Sequence, residues 1–153
     1  MRIAFSGTQN IGKTTVLHDF LKEWPMYKFA QFDYRRQIKE DGKNHSKATT
    51  KEFQWAILKD IMDTTSGYTV NDHVVFDRCA IDNLVYTIWK HDKTPEEVDE
   101  EFVSASVKLV QEAVKDLDII FFLPITEVAP ADRDWETNSS STSSGVLSCF
   151  QIV

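Results

Sequence analysis

A chain of 153 residues suits one domain with a real core, and 42% hydrophobic and 27% charged residues are ordinary for a soluble globular protein. No apolar run approaches the roughly 20 residues that span a bilayer, and Met1 leads straight into a strand rather than a leader, so a cytoplasmic protein with no membrane partner is expected. The net charge of -7 divides unevenly: residues 1–51 hold ten Lys/Arg against five Asp/Glu, the remainder seven against nineteen, so a polyphosphate suits the first third while non-specific nucleic-acid binding does not suit the whole.

In chain order, Arg2-Ile3-Ala4-Phe5-Ser6 reads as a short buried strand. Gly7-Thr8-Gln9-Asn10-Ile11-Gly12-Lys13-Thr14-Thr15 then fits G-x-x-x-x-G-K-[ST], the phosphate-binding P-loop pattern. Gly7 and Gly12 permit backbone conformations that a Cβ would block, so successive N–H groups can turn around a phosphate. Asn10, Lys13, Thr14 and Thr15 complete the cradle. Lys13 is placed to reach the β- and γ-phosphates, and the Thr14 hydroxyl to hold Mg²⁺. A helix follows with Val16, Leu17, Phe20 and Leu21 on its apolar side, and Trp24-Pro25 ends it.

Tyr27 to Phe32 alternates as a second strand, with Tyr27, Phe29 and Gln31 on one side. Asp33-Tyr34-Arg35-Arg36 puts an acid and two bases at its end, where ligands of open α/β sheets bind. The competing explanation is a solvated strand end or a first helical turn. Lys39 to Lys47 is polar and contains Gly42, so it reads as a loop. Thr49-Thr50 precede an amphipathic helix with apolar residues at 53, 57, 58, 61 and 62. Trp55 falls off that stripe, which suggests core or rim packing first and a substrate contact second.

His73-Val74-Val75-Phe76-Asp77 is a third strand ending in an acid. Downstream of a P-loop this is the Walker B arrangement, whose carboxylate holds Mg²⁺ beside the Thr14 hydroxyl. Arg78 follows, a base able to fork onto a phosphate. Cys79 to His91 reads as a helix, with Asp82 and Asn83 in its first turn, where they could cap it or touch substrate. Thr94, Pro95 and Glu97 form a capping box for a further helix reaching Leu117. Asp118 to Pro124 is a fourth strand, apolar enough for burial on both faces. From Ala131 the composition changes, and Asn138 to Gly145 is a serine run that reads as linker, as an altered C-terminus, or as a connection to an edge strand. The expected division is a domain over 1–130 and a tail over 131–153. Cys79 and Cys149 lack metal-binding spacing and are expected as free thiols.

Strand, P-loop, helix and then alternating strands and helices give a three-layer α/β/α P-loop NTPase fold with a mostly parallel sheet. GTQNIGKTT, FDYRR, TTKEFQWAILKDIMD, VVFDRCAIDNLVY and IIFFLP resemble the P-loop nucleoside and nucleotide kinase superfamily. Within it they look most similar to ribosylnicotinamide kinase-type domains and phage-encoded P-loop kinases, over residues 1 to about 125. The resemblance implies strand order 2-3-1-4, with a fifth strand to follow, and ATP with Mg²⁺ as phosphoryl donor. It implies Asp33 as the carboxylate that accepts or orients the proton of the attacking hydroxyl, with Asp77 on the metal side. Arg35, Arg36 and Arg78 would contact substrate or the transferring phosphate, and Trp55 and Asn83 could join the acceptor pocket. Members of the superfamily carry an arginine-bearing lid after strand four, for which this chain offers Arg133.

The leading expectation is therefore a kinase acting on a nucleoside, nucleotide or related small molecule. A second keeps the chemistry and changes the acceptor to a hydroxymethylated base in DNA, against which the acidic charge counts. A third is a P-loop ATPase or GTPase switch with no phosphoryl acceptor, and a fourth a truncated, inactive kinase fold. Oligomeric state is left open.

Overall fold

The computed structural model describes residues 1–9, 11–33 and 50–124. Strands β1 (Arg2–Ser6), β2 (Lys28–Ala30), β3 (Val74–Asp77) and β4 (Ile119–Phe122) form one parallel sheet in the order β2-β3-β1-β4. The helices are α1 (Lys13–Glu23), α2 (Lys51–Ser66), α3 (Ala80–Lys93) and α4 (Glu100–Ala113), and a 3₁₀ turn over Val114–Asp116 leads into β4. Among the described residues no helix is long and apolar enough to cross a membrane.

The register explains the layers. Ala4 lies opposite Phe76, and Ile3 opposite Val75, so alternate residues of neighbouring strands share a face. On one face Ala4, Ala30, Phe32, Val74 and Phe76 pack with Leu58, Ile61 and Val110 from the long helices. On the other, Ile3, Phe5 and Val75 pack with Leu17 of α1. Both faces of β1 and β3 are covered, which is why these strands read as continuous apolar runs. β1 and β3 also run side by side to their ends, Phe5 opposite Asp77. This pairing brings the loop after β1 to the loop after β3.

Several sequence expectations change on folding. Val16 is 42% exposed rather than on the packed side of α1, because Leu17, one residue on, takes the position facing the sheet. β2 is only three residues long, and the buried residues at and just past its end are Ala30 and Phe32, opposite in parity to Tyr27 and Phe29. Thr94 does not open a helix. It closes α3, its hydroxyl donating to the Lys90 carbonyl, and a turn then buries Val98 completely. Asp99 caps α4 instead, its Oδ1 accepting the Phe102 N–H at 2.7 Å. A charged acceptor at a helix start is the stronger cap, and the turn lets Val98 reach the core. β4 is not buried on both faces, since Phe121 and Phe122 are 43% and 48% exposed. It pairs with β1 on one side and is an edge of the sheet among the described residues. The expected fifth strand and the serine-rich tail over 131–153 lie outside the described residues, as does the expected boundary at residue 130.

Candidate functional site

The site starts where β1 ends. Gly7 has φ +139, and a Cβ there would meet the Leu123 carbonyl oxygen at 2.6 Å, so the loop leaves the sheet against the backbone that follows β4. Gly12 has φ +88 and stands at the N-cap of α1 with no side-chain cap. The left-handed turn leaves the first N–H groups of α1 facing outward, where an anion can satisfy them. Lys13 opens the helix and is buried, and its Nζ donates to the Thr8 carbonyl across the loop.

β3 delivers the second half. Asp77 is buried at the strand end, and the Thr14 hydroxyl donates to its Oδ2 at 3.2 Å. Residues 63 apart in sequence meet here because β1 and β3 are paired neighbours. Arg78 turns sharply away with φ +93, a region that a non-glycine residue rarely adopts. Its N–H donates to the Phe5 carbonyl at 2.9 Å, which ties the strained turn to β1. Its guanidinium lies over the Tyr86 ring, 5.8 Å from the centroid, and 3.6 Å from the Asp82 carboxylate. Next to it Cys79 is packed in the core, and burial pushes its thiol far above the ordinary range, so it is no nucleophile.

Together Gln9, Gly12, Lys13, Thr14, Thr15, Asp77 and Arg78 line an open cleft of about 470 Å³. It holds two cations, one carboxylate, a hydroxyl pair and a helix N-terminus within one small volume. A polyanion held with a small hard cation suits that set, since phosphate oxygens meet N–H groups and cations while the carboxylate and hydroxyl supply hard oxygen ligands.

The structure does not gather every residue picked from the sequence. Gly7 stands at the root of the loop rather than in the cleft lining. Asp33 is exposed just beyond β2, following Phe32, whose ring stacks on Phe76 at 5.7 Å. Trp55 is 45% exposed on the first turns of α2, which places it outside the core and is compatible with either rim packing or a substrate contact. Asn83 is buried away from the cleft, its Nδ2 donating to Gln54 Oε1 at 2.9 Å and so joining α3 to α2. Asn10, Arg35, Arg36 and Arg133 lie outside the described residues.

Sequence reasoning passed over Gln54 and gave Asp82 no definite role. Gln54 was legible as a polar residue on the buried α2 stripe it forms with Leu58, Ile61 and Thr65. Asp82 stood at the third helical position, where a carboxylate caps, but nothing local showed its second set of partners.

The fold is that of the P-loop nucleoside and nucleotide kinases. The chain belongs to the family described as AAA domain, whose model matches residues 2–141. NadR protein in complex with NR is similar in structure, with a TM-score of 0.64 at 16% identity over 99% of this chain; the match spans 41% of the NadR chain. Thymidylate kinase from Candida albicans matches with a TM-score of 0.68 at 16% identity, over 99% of this chain and 76% of that one. Deoxyadenosine kinase from M. mycoides with bound dATP matches at 0.63 and 16%, over 99% and 83%. No curated protein sequence matches significantly.

Proposed function

We propose that the chain moves the γ-phosphoryl group of ATP to a hydroxyl or phosphate of a nucleoside, nucleotide or related small molecule. The observation that carries this is the meeting of Thr14 and Asp77 at 3.2 Å in the cleft that Lys13 and Arg78 also line. The kinase neighbours support the reading at the level of phosphoryl transfer. In the transfer, an acceptor oxygen forms a bond to the γ-phosphorus while the bond to the β–γ bridging oxygen breaks and ADP leaves. Where the acceptor is a hydroxyl, its proton passes to a carboxylate, the role assigned to Asp33, which follows β2.

This chain's residues supply positioning and charge. Loop N–H groups hold the β-phosphate, with Gly7, Asn10, Gly12 and Thr15 shaping the cradle. Lys13 exchanges the Thr8 carbonyl for phosphate oxygens. Arg78 lines the same cleft and faces the charge that builds on the transferring group. The Thr14 hydroxyl and Asp77 carboxylate fit Mg²⁺, a hard cation that takes few protein ligands and keeps several waters. Bound there, Mg²⁺ would supply charge neutralisation on the β- and γ-oxygens. Asp33, Arg35, Arg36, Trp55 and Asn83 are assigned to the acceptor side and Arg133 to the donor nucleotide.

ADP formation with ATP and Mg²⁺ across an acceptor panel tests this: deoxynucleosides, deoxynucleoside monophosphates, nicotinamide riboside, and plain and hydroxymethyluracil DNA. One acceptor class should raise ADP release, and Lys13→Ala should lower that release by about 10²–10³-fold. Slow release unchanged by every acceptor would overturn the kinase reading and favour a switch.

A further inference from the structure

Asp82 is an aspartate buried to 2% exposure at the start of α3, outside the cleft lining. Its Oδ2 accepts the Cys79 N–H at 2.9 Å, which is the ordinary capping contact of a carboxylate at the third helical position. Capping needs only one oxygen. The other, Oδ1, accepts the Gly7 N–H at 3.1 Å, 75 residues away and at the root of the P-loop. The same Oδ1 faces Arg78 Nη1 at 3.6 Å.

One buried carboxylate therefore touches the first N–H of the phosphate loop, the N–H that follows the strained turn, and the guanidinium that the turn presents. A carboxylate is costly to bury unless each oxygen is satisfied, and here two N–H donors and a cation offset that cost. A cap serving the helix alone could stand in water at no such cost. Arg78 has few ways to move: its backbone is fixed by φ +93 and by the bond to Phe5, its side chain by Tyr86 and Asp82.

We infer that Asp82 is a positioning residue that locks the P-loop to Arg78, so that the cation is held in register with the phosphate cradle. It touches neither nucleotide nor acceptor and acts through Gly7 and Arg78. The inference rests on the proposed phosphate-binding role of the cleft.

The test compares the affinities of ADP and of a non-hydrolysable ATP analogue for wild type, Asp82→Asn, Arg78→Gly and the double variant, by calorimetry well below the unfolding temperature. Glycine at 78 accepts the positive φ, so that variant deletes the guanidinium while keeping the turn. Asparagine at 82 keeps the shape but turns an NH₂ either toward the Cys79 N–H or toward the Gly7 N–H and Arg78 together. The readout is the preference for the analogue over ADP, which isolates the γ-phosphate. Arg78→Gly should reduce that preference by about tenfold, Asp82→Asn should do nearly the same, and the double variant should add less than about twofold to Arg78→Gly. A residue that merely holds the fold would weaken both nucleotides equally and leave the preference unchanged.

An unchanged preference in Asp82→Asn, with a reduced one in Arg78→Gly, overturns the inference alone. So do losses that simply multiply in the double variant. If wild type binds neither nucleotide, or if Arg78→Gly leaves the preference intact, the functional assignment of the cleft or of Arg78 fails and the inference falls with it. Should Asp82→Asn not fold, Asp82→Ser, smaller and able to accept one N–H, is read in the same cycle.

Discussion

The two sides of the proposed site are built by different means. On the donor side, Gly7 to Thr15 and Asp77-Arg78 are each a continuous run, and the parallel pairing of β1 with β3 puts them together. Their geometry resides in the backbone: two positive-φ glycines, one strained arginine, one helix N-terminus. On the assigned acceptor side, Asp33 follows β2 while Trp55 and Asn83 come from α2 and α3, and no one run holds all three. Asn83 is buried against Gln54 while Asp33 and Trp55 are exposed. A site that holds phosphates can be written in local sequence because every phosphate presents the same oxygens. A site for a particular acceptor depends on how separate helices converge.

If that contrast is sound, substitutions on the donor side should act on transfer and nucleotide binding, and those on the acceptor side on the acceptor. The largest effect is expected at Asp77. Asp77→Asn preserves shape but removes charge beside Thr14, and ADP release should fall by about 10²-fold or more with a raised Mg²⁺ requirement. Release at wild-type rates would break the donor-side assignment.

The two loop glycines should then differ from each other. Gly7→Ala places a Cβ 2.6 Å from the Leu123 carbonyl oxygen, and urea unfolding should show a loss of about 2–5 kcal/mol. Gly12→Ala meets nothing within 4 Å and bears only its left-handed backbone, for about 1–2 kcal/mol. A larger loss at Gly12 would mean that packing does not set the order.

Asn83→Leu removes the donor to Gln54 Oε1 and should cost about 1–3 kcal/mol in the same assay. Its kinetic effect should be larger on the acceptor KM than on the ATP KM, and the reverse pattern would place Asn83 with the donor. The smallest stability effect belongs to Trp55. Trp55→Ala should change unfolding by no more than about 0.5 kcal/mol, because the ring is half in solvent. A raised acceptor KM with unchanged stability would tie Trp55 to the acceptor side; a large loss of stability would show the ring to be a packing element.

The parts of the chain fixed by local chemistry were legible before folding. The P-loop spacing, the apolar runs of β1 and β3, the acid at the end of β3 and the Thr50 cap of α2 all follow from residues within a few positions of one another. The alternation of strand and helix implied a parallel sheet, because a strand that returns through a helix runs in the same direction. Misread elements were those that a distant partner decides. Thr94 with Glu97 makes a sound local cap, but the burial of Val98 moves the helix start to Asp99. β4 has the apolar composition of a central strand, yet it is an edge among the described residues, and composition carries no strand order. Asp82 shows the division most clearly. Its place in the sequence specified a helix cap, which a single hydrogen bond within three residues satisfies. Only the tertiary structure gave its second oxygen to Gly7 and Arg78, because the sheet brings the ends of β1 and β3 to one point, and a buried carboxylate there must be satisfied on both sides.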